Sequence, residues 1–477
     1  MLHSVRIEPP PAAWRELFSS QRPDATILGR LASEWCSLTR RELLACDHQR
    51  LIATGHQAGF WHPGILAKYF ALDAAGESLG AEALVEVVVD QDVNDLRSIR
   101  VPVIDAEDVL TARELTWSQW PGEEHAGPTG AQPPMLVDPH AWRLEAGERL
   151  ALPQLESRCR AMGQALGLLR RCESRAMQAA LAAGLLHEVR FANQALPRLT
   201  PREPVIPARP RYLVTASSLT STTLWGALMD RMRDEPRGAW EAYNRAAAAH
   251  PNAGVAALER RASGGCEIPC WLITDDGERH RAFEHDLRRS GALLWPRALL
   301  MTAVVRLALC DLFIHGAGGY EYDRITEQWL GEWLGGALAP RAMVTATMTL
   351  DFDRRPADER DLARARWMTH HLPFNIDRFL DDLAPKRQRE AILREIESLP
   401  RGSAPRRAAF DRMRSLQRDL VRVHQALLDE AREALRLTQR RVEEVSLIND
   451  RTWAFPLHDH AALERLRESI ERRFERR

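Results

Sequence analysis

The run Arg50-Leu51-Ile52-Ala53-Thr54-Gly55-His56-Gln57-Ala58-Gly59-Phe60-Trp61-His62-Pro63-Gly64 decides the fold class. Its first five residues read as a strand, its glycines as a loop, and the apolar stretch from Ile65 to Ala75 as a helix. Beyond it, Ala83 to Val89 (ALVEVVV) is β-branched and nearly continuous, as a strand buried on both faces would be, and it stops at Asp90-Gln91-Asp92. Strand, helix and strand in that order form one βαβ unit. Its parallel strands need helices on the faces of the sheet, so the expected class is α/β with a parallel sheet.

The same alternation continues along the chain. Arg211 to Thr215 and Ile268 to Ile273 read as strands, and Arg297 to Leu309 as an apolar helix. The short strand Asp311 to Ile314 then runs through His315-Gly316-Ala317-Gly318-Gly319 into a helix from Tyr320 to Trp333. Helical sequence fills Leu155 to Ala195, between a Pro/Gly-rich surface excursion at Pro121 to Pro139 and a proline cluster at 197–210. From Lys386 the composition turns to charged residues and leucines. Met413, Leu416, Leu420, Val423 and Leu427 recur at steps of three and four, and Ala431, Leu435, Val442 and Val445 continue after a slip, which predicts one long helix in a coiled-coil arm or helical hairpin. The expected organisation is a core over 1–385 with helical connector insertions, an arm over 386–446, and a segment over 447–477 that returns to the core, because TWAFPLHDH is too apolar for a free tail. The narrow arm stripe needs a cover, either an intrachain hairpin or, the favoured expectation, the seam of a homodimer.

Composition limits the function classes. The 477 residues correspond to about two to four folding units, and 45% hydrophobic with 27% charged residues is ordinary for globular chains. A net charge of -1 offers no field for tracking a phosphate backbone, so nucleic acid is not an expected partner. The most apolar stretch, Ala298 to Gly319, is interrupted by Arg306 and Asp311, and the first residues hold no apolar signal core; the expectation is a cytoplasmic protein without a membrane partner. Of seven scattered cysteines only Cys266 and Cys270 are close, with no second pair or histidine pair at ligand spacing, so no metal site is expected.

Three segments carry candidate chemistry. Gly55, Gln57, Gly59 and Gly64 allow a ligand close to the backbone, Pro63 opens a helix whose N-terminus favours an anion, and His56 and His62 can bond phosphate oxygens or titrate near neutral pH. Asp90 and Asp92, two residues apart at a strand's carboxyl end, share one side of an extended chain and can hold magnesium, an amine or a proton. His315, Gly316, Gly318 and Gly319, followed by Tyr322, repeat the strand, glycine loop, helix design. Each has a structural alternative: a turn with structural histidines, a helix cap, and a tight connection needing positive φ. Lys68 is a fourth candidate. Among 65 basic residues lysine stands only at 68 and 386, and Lys68, one turn after Gly64, could reach an anion at the loop unless it merely survives on a solvated face.

In this order, and with the terminal arm, these segments resemble the bacillithiol-synthesis cysteine-adding enzymes, or putative cysteine ligases. The TGQQ-type loop of that family is matched by Thr54-Gly55-His56-Gln57, its acidic EDHD-type strand end by Asp90-Gln91-Asp92, and its GGPGE-type loop by Gly316 to Glu321. Departures mark a divergent branch: His56 stands for a glutamine, Gln91 for a histidine, and His62-Pro63-Gly64 for a glycine-rich stretch. The resemblance implies a Rossmann-like, nucleotidylyltransferase-like core, a helical connector and a coiled-coil arm. It implies a ligase that uses ATP, alone or with magnesium, to join a cysteine-like carboxylate to the amine of a small sugar-type acceptor through adenylation. His56, His62 and the Gly316 to Gly319 loop would then steady phosphate charge, and Asp90 or Asp92 would take the ammonium or its proton. The rival expectation is a non-catalytic scaffold, or a nucleotide-binding sensor, that keeps the fold and uses the arm for partners.

Overall fold

The computed structural model describes residues 1–20, 24–117, 127–189, 191–194, 209–262 and 265–475. Its central sheet has six strands, β1 (Leu2–Glu8), β2 (Leu51–Gln57), β3 (Ala83–Val89), β4 (Arg211–Thr215), β5 (Leu312–His315) and β6 (Arg341–Met348). Their order is β1-β6-β5-β2-β3-β4. Strands β2 to β6 are mutually parallel, and β1 pairs antiparallel with β6. The protein is therefore α/β with a mixed, mostly parallel sheet, which corrects the all-parallel expectation. The added edge is the N-terminal strand, whose Val5 and Ile7 turn inward at the period of two that a half-buried strand requires.

Alternation along the central strands builds two cores. Leu51 and Ala53 of β2 with Val85 and Val87 of β3 meet one set of helices, while Ile52, Leu84, Leu312 and Ile314 face the other side. The second face is covered by α1 (Pro63–Leu79), which lies between the sheet and the C-terminal helix; that is why Leu66, Ala67, Phe70 and Ala71 are all buried. On the first face lie α2 (Ala298–Val304), which ends in a π-turn over Val305–Leu309, and α3 (Ala317–Leu334). Strand β2 extends to Gln57, with Gly55, His56 and Gln57 opposite Val87, Val88 and Val89, so the loop begins only at Ala58. A Cβ at Gly55 would lie 2.7 Å from the Val87 carbonyl oxygen; that glycine serves close strand approach.

A third core forms where the strands Ser98–Ile104 and Leu110–Thr116 meet two helices, Leu155–Leu168 and Arg175–Leu186. The single helix expected over Leu155 to Ala195 is thus broken, because the Ser174 side chain accepts from the Met177 amide and starts a new helix. Of the Pro121 to Pro139 excursion, residues 121–126 lie outside the described residues. The remainder is a loop only partly at the surface: the amides of Thr129 and Gly130 donate to the carbonyls of Asp92 and Asp90, and Met135 is buried on Gln178, while Ala131, Pro133 and Leu136 are exposed. Most of the proline cluster, residues 197–208, also lies outside the described residues.

Beyond β6 come α4 (Glu359–Asn375), α5 (Leu383–Ser398), α6 (Ala404–Val423), α7 (Gln425–Ile448) and α8 (His460–Glu475). The one long arm helix is two, since His424 leaves helical geometry at φ -109, ψ 33. The helical layer also starts before residue 386: α4 packs along α7, and Leu372 and Ile376 cover Leu420, Leu427 and Leu428. A second copy is not required to cover that part of the stripe, although Val423 stays 70% exposed. Trp453, Phe455 and Leu457 are buried in the second and third cores, and α8 packs on α1. Among the described residues no helix is long and apolar enough to cross a membrane.

Candidate functional site

The spatial order of the five parallel strands reverses between β2 and β5, the neighbours from which the chain progresses in opposite directions. Ligands of open α/β sheets settle at the carboxyl ends of strands flanking such a reversal. Here those ends are His56-Gln57 and His315-Gly316, with Asp90 to Asp92 beside them.

Several candidates do meet at this edge. Gln57 donates its amide to Asp92 at 2.6 Å, and Asp92 also accepts from Arg279 at 3.0 Å. Lys68 donates to the Gly55 carbonyl at 2.6 Å, while its Cδ lies 3.8 Å from where a Cβ of Gly316 would stand. Burial pushes the Lys68 ammonium down to about 7, with Glu86 pulling the other way. Burial, helped by Lys68, pushes His56 down to about 3, so His56 is neutral at physiological pH and cannot store a proton there. His315 bonds Asp323 at 2.8 Å, and Asp323 also holds Arg306. Burial opposes ionisation of Asp323, but His315 and Arg306 outweigh it and hold the carboxyl well below its usual range. Partial burial, with Asp323 and Asp92 nearby, pushes the half-buried Tyr322 up to about 12.

Other candidates are committed elsewhere. Strand β3 ends at Val89, so Asp90 and Asp92 do not share one side of an extended chain. Asp90 is buried against Ser217, accepting from its amide at 2.9 Å and from its hydroxyl, and burial raises its carboxyl to about 6. His62 is the N-cap of α1: its Nδ1 accepts from the Gly64 amide at 3.1 Å, and the amides of Ile65 and Leu66 donate to its carbonyl. With Pro63 lacking an N–H, the first turn of α1 has little left for an anion. Burial lowers the His62 pKa, with Arg451 and Lys68 adding to it. Gly64 faces β6 rather than a ligand, since a Cβ there would lie 2.5 Å from the Ala346 oxygen. Lys68 is 2% exposed, neither on a solvated face nor open to an anion in solution.

The second glycine loop is tighter than expected, because α3 begins at Ala317 and takes Gly318 and Gly319 into its first turn. None of Gly316, Gly318 and Gly319 has positive φ, so a left-handed turn does not explain them. Gly319 makes room for His315, whose Nδ1 would lie 2.7 Å from a Cβ. Gly318 has nothing within 4 Å of that position, and no side chain caps this helix end. Gly59, by contrast, has φ +142 and needs glycine for its backbone. His56, Gln57 and Gly59 line a cleft of about 270 Å³ that the Gly316 to Gly319 loop does not reach.

Ser217, Arg279, Arg306 and Asp323 near this edge, and Glu86 farther back in β3, are residues to which sequence reasoning gave no role. Two carried a signal: Glu86 is the lone charge inside ALVEVVV, and Arg306 interrupts an apolar helix. Both pair in the interior, Glu86 with Arg211 at 3.2 Å and Arg306 with Asp323 at 2.5 Å. Among the described residues no cluster of three histidine, cysteine, aspartate or glutamate side chains could hold a metal. No protein-family model matches the chain, and no curated protein matches it.

Proposed function

We propose that this protein is an ATP-dependent ligase that joins a small carboxylate to an amine on a Rossmann-like, nucleotidylyltransferase-like core, of the kind found in the bacillithiol cysteine-adding enzymes. The observation that carries the reading is the N-terminus of α3, uncapped by any side chain and placed where the strand order reverses. An uncapped helix start presents amide donors and the positive end of the helix dipole, which suits a phosphate. Gly318 fits this role, since the space a side chain would fill is open.

ATP would supply the activation that a free carboxylate lacks. The residues Gly316, Ala317 and Gly318 would hold its phosphate, with Lys68 lending positive charge from behind the β2 end. Asp323 fixes His315 beside them and keeps the first turn of α3 in place. Asp92, oriented by Gln57 and Arg279, is the carboxylate left for an incoming amine; Asp90 is engaged by Ser217. The test is calorimetric ATP binding together with pyrophosphate release in the presence of amino acids, cysteine first. Orthophosphate release, or no ATP binding, defeats the proposal. A nucleotide-binding sensor without ligase chemistry is the second reading, favoured by the structural employment of His62 and Asp90; ATP binding without turnover of any amino acid would select it.

A further inference from the structure

The cleft of about 270 Å³ beside His56 is assembled from distant parts of the chain: the end of β2 with its loop to Trp61, the Asn94 to Arg100 segment, Thr452 to Ala454 of the C-terminal return, and Leu166 and Ala179 from the two helices of the third core. Its size is just under the roughly 300–1,000 Å³ of small-molecule sites, which sets the occupant at one compact ring. The return segment is fixed in place by the Phe455 amide, which donates to the Trp61 carbonyl at 2.5 Å.

The polar side chains of the lining have a common bias. Gln57 gives an amide N–H to Asp92 at 2.6 Å, and Asn94 gives one to the Ala58 carbonyl at 2.9 Å. Ser98 gives its hydroxyl to Asp95 at 3.4 Å and Thr452 gives its own to Asp450 at 2.6 Å. Each spends a donor within the protein and keeps an oxygen with free lone pairs. Charge is balanced: Arg100 pairs with Asp450 at 2.5 Å and lies 4.4 Å over the Trp453 ring, and Asp95 pairs with Arg97.

We infer that this cleft binds a small uncharged molecule rich in hydrogen-bond donors, a compact polyol, and that the C-terminal return segment forms one wall of its site. In the ligase reading this is the pocket of the acceptor, and only that role rests on the reading; the binding does not. The lining recognises donors, so an ether of the same skeleton, which can only accept, is excluded.

The experiment is ligand-observed saturation-transfer NMR on the full chain with myo-inositol as the probe and its hexa-O-methyl ether as the comparison. The expected result is binding of myo-inositol alone, weakened about threefold to tenfold by Ser98→Ala and by Thr452→Val, each of which removes one acceptor oxygen. Thr452→Val also loses the bond to Asp450, so if it melts early the Ser98→Ala variant decides, since its lost bond to Asp95 is long. No signal from myo-inositol, an equal signal from the ether, or unchanged affinity in Ser98→Ala overturns the inference. A chain that binds myo-inositol but releases no pyrophosphate with any amino acid keeps the cleft and loses the ligase.

Discussion

The Lys68 ammonium donates to the Gly55 carbonyl at 2.6 Å, joining the second turn of α1 to the end of β2 beside the point where the strand order reverses. Among lysines this is an unusual position, because a point charge on a flexible stem is here enclosed rather than solvated. The cost of enclosure appears as a lowered proton affinity, and Glu86, buried in β3, offsets part of it. This basic group, whose Cδ lies 3.8 Å from where a Cβ of Gly316 would stand, can therefore change charge near neutrality.

That sets a pH dependence of stability. Folded Lys68 releases its proton at about 7, whereas the unfolded chain holds it to the ordinary 10.5. Between these values the unfolded state binds more protons, so this group's contribution to stability rises with pH, by up to about 1.4 kcal/mol per unit. Urea denaturation of the wild type and Lys68→Met from pH 6 to 9 is expected to show their difference in stability moving in favour of the wild type as pH rises. A difference that does not vary with pH rules out an enclosed ammonium.

Glu86 has the opposite sign. Burial raises its carboxyl to about 7, against the pull of Arg211, while the unfolded chain ionises it near 4.5. From 4.5 to 7 the folded state binds more protons, and this contribution is lost as pH rises through that window. Glu86→Gln is expected to lack the decline, with Arg211 still held by Asp73 at 2.6 Å. Equal slopes for wild type and variant between pH 5 and 7, measured by urea denaturation, would count against it.

Arg306 and Asp323 form a buried pair at 2.5 Å, with His315 as the third member. Replacing the arginine strands a carboxylate in the interior, and Arg306→Met should destabilise the fold by about 3–5 kcal/mol. Replacing both, as Arg306→Met with Asp323→Leu, should recover part of the loss. Thermal melting of the single and double variants checks this, and a single variant as stable as the wild type would show that the pair is dispensable.

How far the sequence discloses this architecture depends on the range of the interaction. The helix after β2 and the strand ALVEVVV are legible because burial on both faces leaves a continuous apolar run, and Glu86 within it already announces an interior partner. The interior role of Arg306 is visible in the same way. What stays hidden is set by distant residues. Asp90 looks available until Ser217, 127 positions later, closes on it. Gly64 looks like a ligand-binding glycine until β6 brings the Ala346 carbonyl against it. His62 is an unusual cap, since Ser, Thr, Asp and Asn normally fill that position, so its imidazole reads as free chemistry. The glycines of the two loops look alike in sequence, yet one set fits neighbouring strands and helices while Gly318 fits no neighbour at all.

This contrast gives the sharpest test of the candidate site. Gly64→Ala places a methyl group 2.5 Å from the Ala346 oxygen and 2.8 Å from the His62 ring, so it should destabilise by about 1–3 kcal/mol through overpacking alone. Gly318→Ala meets nothing within 4 Å in the first turn of α3. Its stability should be unchanged or higher, by up to about 1 kcal/mol, because alanine favours a helix over glycine. If the α3 amides hold a phosphate, however, the added methyl stands where the ligand approaches, and ATP affinity should fall about tenfold with the melting temperature intact. Calorimetry with ATP, beside thermal melting of both variants, separates the two effects. Wild-type ATP affinity in a stable Gly318→Ala chain would remove the N-terminus of α3 from the nucleotide site.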